Sequence, residues 1–157
     1  RQGCYRLFDS GFEITVEDPF YLAYDELMGT MQVTIPDEPA FQAYIYYDPT
    51  GQTMDQLESS IKTLEESYED DPTVSNMQTQ VDEQENGLFS ISFSYSAGAT
   101  EGSPAGFYFI HYQKTQEGLL TANIYSDRAS NSEAIQRLVS TIQLETENAQ
   151  DYPTGQE

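Results

Sequence analysis

A strand that is apolar on both faces belongs in the interior of a sheet that is covered from both sides. Phe107 to Tyr112 reads as such a strand, with Phe107, Phe109 and His111 facing one way and Tyr108, Ile110 and Tyr112 the other. Just upstream, Leu88 to Tyr95 alternates Phe89, Ile91, Phe93 and Tyr95 with Ser90, Ser92 and Ser94, the period of two of a strand with one buried face. Glu85-Asn86-Gly87 is a hairpin signal leading into it from a polar segment, Met77 to Gln84, that has the character of an edge strand. Downstream, Gln116-Glu117-Gly118 turns the chain into a further strand, Leu119 to Tyr125.

Amphipathic helices stand on either side of this meander. Thr53 is placed to cap a helix whose stripe is Met54, Leu57, Ile61, Leu64 and Tyr68, with Glu58, Lys62, Glu65, Glu66 and Glu69 opposite. Ser130 or Asn131 caps a second helix, with Ala134, Ile135, Leu138, Val139 and Ile142 on one face. Three shorter strand signals open the chain: Tyr5 to Val16 with a turn at Asp9-Ser10-Gly11, then Met31 to Ile35, then Phe41 to Tyr47. The fold class expected from this order is α+β: an antiparallel sheet with a helix on each face, an α/β/α sandwich whose middle strand is Phe107 to Tyr112. Residues 1–145 are expected to form one domain and residues 146–157, which show no periodicity, a disordered acidic tail.

The opening Gly11-Phe12 strand that runs to Asp18-Pro19, the mid-chain helix, the long hairpin meander and the final helix together resemble the PsbP-like superfamily. That superfamily includes the photosystem II extrinsic PsbP protein, a Ran-binding nuclear import factor and bacterial lipoproteins of the DcrB type. The resemblance spans residues ~5 to 144 as element order and carries no motif that transfers functional residues. Phe20 stands near the position where such proteins often show a tryptophan. The DcrB-type, extracytoplasmic branch is the one the resemblance implies here.

Charge narrows the partners. Six basic and 27 acidic residues leave a net charge of −21, so nucleic acid and anionic membrane surfaces are excluded as expected partners. A basic protein partner, weak cation binding or a salty habitat are the specific readings of this acidity, beside plain solubility. No apolar run is long enough for a transmembrane helix. The chain starts at Arg1, so a processed product or fragment is expected, membrane-anchored through an N-terminal segment that has been removed; Gly3-Cys4 resembles a lipoprotein site, but Arg1 stands where that signal needs an apolar residue.

No catalytic or metal-binding set is legible, and no cofactor is expected. His111 is the only histidine and lies on an apolar strand face, and Cys4 is the only cysteine. Neither a nucleophile elbow nor a zinc or calcium motif is present. The outstanding side-chain statistic is 12 tyrosines without a tryptophan. Tyr44, Tyr46, Tyr108 and Tyr112 sit on strands and are the candidate partner-binding residues, because tyrosine offers contact area at little entropic cost. The expected function is a non-catalytic extracytoplasmic binding or adaptor module that contacts a protein or a small extracellular ligand. The alternatives are a hydrolase with an unrecognised carboxylate site and a cytosolic protein-binding adaptor.

Overall fold

A computed structural model of the chain describes residues 1–153. Its largest element is a seven-stranded antiparallel sheet in the order β3-β4-β5-β9-β8-β7-β6. These strands are β3 (Tyr21–Asp25), β4 (Thr30–Thr34), β5 (Gln42–Asp48), β6 (Val74–Glu83), β7 (Phe89–Ala97), β8 (Gly106–Lys114) and β9 (Leu119–Ser126). A second, three-stranded sheet joins the two ends of the chain: β1 (Gly3–Arg6), β2 (Phe12–Val16) and β10 (Gln143–Leu144), with β2 in the middle. The helices are α1 (Met54–Glu69) and α2 (Ser132–Ser140).

The local signals act as their chemistry requires. Thr53 Oγ1 accepts from the Gln56 amide at 3.2 Å while Gln56 Oε1 accepts from the Thr53 amide at 2.9 Å, a reciprocal capping box that starts α1. Asn86 (φ 62°) and Gly87 (φ 75°) take left-handed conformations and reverse the chain between β6 and β7. Asn131 precedes α2 but does not cap it through its side chain. Its amide instead donates to Glu38 at 2.7 Å and to Ser126 at 2.9 Å, tying the start of the helix to the strands below.

Two apolar clusters divide the sheet. On one face, Phe107, Phe109, Leu120, Ala122, Ile124, Ala43, Ile45, Met31 and Val33 pack with Phe12, Ile14 and Val16 of β2 and with Ile135, Leu138 and Val139 of α2. On the other, Leu57 and Ile61 of α1 pack with Phe89, Ile91, Phe93 and Leu119. The protein is thus α+β, with β8 hydrogen-bonded on both sides as its two apolar faces require. Three expectations need correction. The middle strand of the seven is β9, with β8 beside it. The opening strands do not join the large sheet: β1 and β2 leave it because β10 returns to pair with β2, which makes two sheets where one was expected. The expected tail is ordered through residue 152, because its backbone finds partners that periodicity does not reveal.

That ordering centres on Glu13, 2% exposed in the middle of the small sheet. Its carboxylate accepts from the Thr146 amide at 2.6 Å, the Thr146 hydroxyl at 2.8 Å, Gln143 Nε2 at 3.1 Å and the Cys4 thiol at 3.1 Å. Beyond it, the Gln150 amide donates to the Cys4 carbonyl at 3.0 Å and the Arg6 amide to the Gln150 carbonyl at 2.8 Å. Tyr152 packs on Tyr5 with centroids 5.2 Å apart and donates to the Leu22 carbonyl. Residues 154–157 of the expected tail lie outside the described residues.

Burial raises the Glu13 pKa, but the bonds from Cys4, Gln143 and Thr146 outweigh it and hold the group at about 2 against an ordinary 4.5. A folded pKa below the unfolded one gives stability that is whole above pH 4.5 and is lost as the pH falls towards 2. Glu13→Gln is expected to lower stability at neutral pH by on the order of 3 kcal/mol and to flatten the acid limb in that window, as checked by urea unfolding at several pH values. An unchanged acid limb in the variant would refute this role for Glu13.

Candidate functional site

Seven strands are wider than the elements that cover them, and two stretches of the large sheet stay open. The first is on the face that carries α1. α1 lies over β6 and β7 and buries Leu119 of β9, but beyond it the side chains of Tyr108, Ile110, Tyr125, Asn123, Gln42, Tyr44 and Tyr46 on β8, β9 and β5 are half-buried or exposed. Strand register sets Tyr95, Tyr108, Tyr125 and Gln42 side by side across four strands. The next rows contain Tyr44 beside Asn123 beside Ile110, and Tyr46 beside Thr121 beside Tyr112.

These rings form a continuous surface. Tyr68 of α1 meets Tyr95 at 4.7 Å between centroids, Tyr95 stacks on Tyr108 at 5.0 Å and 10°, and Tyr108 meets Tyr125 at 5.0 Å. Such pairs contribute roughly 0.5–1.5 kcal/mol each beyond their buried area. The hydroxyls of Tyr108 and Tyr125 donate at 2.5 Å to the carbonyls of Pro104 and Ala105, so the 98–105 loop anchors the ring tips. Gly106, at φ 156°, allows this approach: a Cβ there would overlap the Ser126 carbonyl and the Tyr125 ring. Tyr44 and Tyr46 are 37% and 39% exposed, and a depression of about 180 Å³ lies between Tyr44, Tyr95, Tyr108 and Tyr125.

All four candidate tyrosines, Tyr44, Tyr46, Tyr108 and Tyr112, therefore occupy one face. Tyr112 is half-buried at the edge of the α1 cluster, whereas Tyr44 and Tyr46 stand open. Sequence reasoning did not single out Tyr95 and Tyr125. Their signal was their position at the ends of β7 and β9, where register aligns them with Tyr108.

The second open stretch is on the opposite face, where α2 ends short of β6. A groove of about 740 Å³ runs between α2 and β6–β8. Its floor is the serine side of β7, read from alternation as one side of a strand and found here to be largely enclosed: Ser90 is 9% and Ser94 5% exposed. His111 lies among these serines and shares a 2.7 Å hydrogen bond with Ser92 Oγ through Nδ1. Burial holds its pKa down at about 4, so it is neutral at pH 7. Gln113, almost fully buried, donates to the carbonyls of Phe89 and Lys114 and braces the inner end. Among the described residues no carboxylate hydrogen-bonds to the ring of His111. The Ser92–His111 pair therefore lacks the orienting third member of a hydrolytic triad.

Cys4 donates to Glu13, and burial followed by that bond raises its pKa, which keeps it a thiol rather than a nucleophilic thiolate. Among the described residues no cluster of three or more His, Cys, Asp or Glu side chains is arranged to hold a metal ion. The acidic end of α1 points to other work: Glu65 accepts from Thr79, and Asp71 accepts from the amide and hydroxyl of Thr73.

A histidine with a lowered folded pKa costs the protein stability as the pH falls from its ordinary 6.5 towards about 4, because the unfolded chain takes up the proton first. Replacing His111 with Gln is expected to remove that component. The difference in unfolding free energy between variant and parent should shift in favour of the variant on acidification through this window, and a constant difference in paired denaturation curves would contradict it.

No protein-family model and no curated protein sequence matches the chain. Among the described residues no helix is long and apolar enough to cross a membrane. Structural similarity is clear: the solution structure of cyanobacterial PsbP (CyanoP) from Synechocystis sp. PCC 6803 superposes with a TM-score of 0.57 over 90% of this chain and 91% of that one, at 10% sequence identity. At that identity the likeness concerns the fold alone, and the fold is PsbP-like.

Proposed function

We propose that this chain is a non-catalytic binding or adaptor module that receives a basic segment of a partner protein on its tyrosine face. The observation that carries the reading is the half-buried row Tyr95-Tyr108-Tyr125 with the exposed Tyr44 and Tyr46 beside it, a surface of rings fixed at both edge and tip. Preorganised aromatic side chains lose little entropy when a partner buries them. Charge selects the partner's chemistry. The chain carries −21, and Asp127 stands close enough to Tyr125 to help raise its pKa, after burial, so the surface lies in a negative field. Arg and Lys side chains gain from stacking on such rings as well as from that field.

The test is a titration of isotope-labelled protein with Arg- and Lys-rich peptides beside acidic ones of equal length. Basic peptides are expected to shift the amides of β5, β8 and β9 around the tyrosines and to bind more weakly as salt rises. Tyr44→Ala and Tyr125→Ala should each cost about 2 kcal/mol where the ring anchors the peptide. Equal binding of acidic peptides, or undiminished affinity in folded variants, would reject this reading.

The extracytoplasmic, membrane-anchored, DcrB-type setting belongs to the same proposal, supported by the compatibility of a PsbP-like fold with an extracytoplasmic domain. The full-length gene is expected to encode an export signal or lipid anchor. A complete reading frame without either would favour the cytosolic adaptor.

A further inference from the structure

The groove on the opposite face has a chemistry of its own. Ser90 and Ser94 are nearly buried, yet among the described residues neither hydroxyl has a hydrogen-bond partner, and both line the groove. With Nδ1 of His111 engaged by Ser92, Nε2 is the ring nitrogen left without a partner among the described residues. Gln78 and Gln80 of β6 and Gln136 of α2 form the walls and make no side-chain hydrogen bonds among the described residues. The groove thus holds several groups that can both donate and accept, set along β7 at intervals of about 7 Å by the strand repeat. Phe109, Val139 and Ile142 add an apolar strip beside them.

We propose that this groove binds a neutral, hydroxyl-rich chain, an oligosaccharide. Sugar hydroxyls donate and accept at once, as serine hydroxyls do and as a carboxamide does through its two ends. The C–H faces of sugar rings suit an apolar strip. Formal charge in the ligand is disfavoured. No Lys or Arg lines the groove to receive an anion, and Asp82 is the one carboxylate there, too few to hold a cation against its hydration. Burial keeps His111 neutral at pH 7, so it adds no charge. This site is separate from the tyrosine face and does not depend on the function proposed for it.

Titration of the labelled protein with short linear oligomers of glucose, mannose, galactose and N-acetylglucosamine, beside a sulfated oligosaccharide, tests the assignment. At least one neutral oligomer is expected to bind with a Kd of about 1 mM or tighter and to move the amides of β6, β7 and β8 while leaving Tyr44 and Tyr125 unmoved. Gln80→Ala lies on an exposed edge strand and leaves the fold intact, and Ser94→Val removes one floor hydroxyl. Each should weaken binding about tenfold. The assignment is overturned if no neutral oligomer moves the groove, if the sulfated oligosaccharide binds as tightly, if the shifts map to the tyrosine face, or if Gln80→Ala binds as the parent does.

Discussion

The width of the sheet governs everything else in this molecule. Seven strands at a spacing of about 4.8 Å span roughly 29 Å, whereas a helix is only about 10 Å across and shields about two strands. With one helix of 16 residues on one face and one of nine on the other, the apolar cover cannot reach from edge to edge. On the α2 face the small sheet extends that cover over β3, β4, β5 and β9. On the α1 face nothing does. The covers are offset, so the exposed stretches lie on opposite faces, one over β5, β9 and β8 and the other over β8, β7 and β6, and each has the side-chain chemistry that open strands can carry. One is aromatic with its hydroxyls tied down; the other is a channel of alcohols and amides.

How much of this was legible follows from which contacts are local. The stripe Leu57, Ile61, Leu64 and Tyr68 and the alternation Phe89, Ile91, Phe93 each repeat within a few residues, so helix and strand could be read directly. The two-faced character of Phe107–Tyr112 correctly placed β8 inside the sheet. What a single chain does not display is register. Tyr108 aligns with Tyr95 and Tyr125 only after two hairpins have closed, and the serines of β7 become a groove floor only once α2 stops short of β6. The packed segment after Glu145 was illegible for a related reason. Its order comes from one buried carboxylate far away in sequence and from main-chain bonds to β1.

Two buried ionisable groups illustrate how the same burial can end in opposite charge states. Glu13 stays ionised because four donors converge on it, and each hydrogen bond to a charged acceptor is worth about 1.5–3 kcal/mol. His111 has one serine for a partner and stays neutral. Glu13 therefore serves cohesion, joining three separate stretches of chain at one atom pair. His111 leaves a ring nitrogen uncommitted beside a groove.

The joining of β1, β2 and β10 also bears on how the protein comes into being. Thr146 lies 133 positions after Glu13, and at about 5–20 residues per second of synthesis the carboxylate waits on the order of 10 s for its main donors. During that interval the meander from β6 to β9, whose neighbours in space are neighbours in sequence, can already assemble on α1. Until the far end of the chain arrives, Glu13 in the β1–β2 hairpin lacks three of its four donors, and burying an ionised carboxylate without them is costly. The acid that locks the finished protein is thus also the group whose burial has to wait for residues made last.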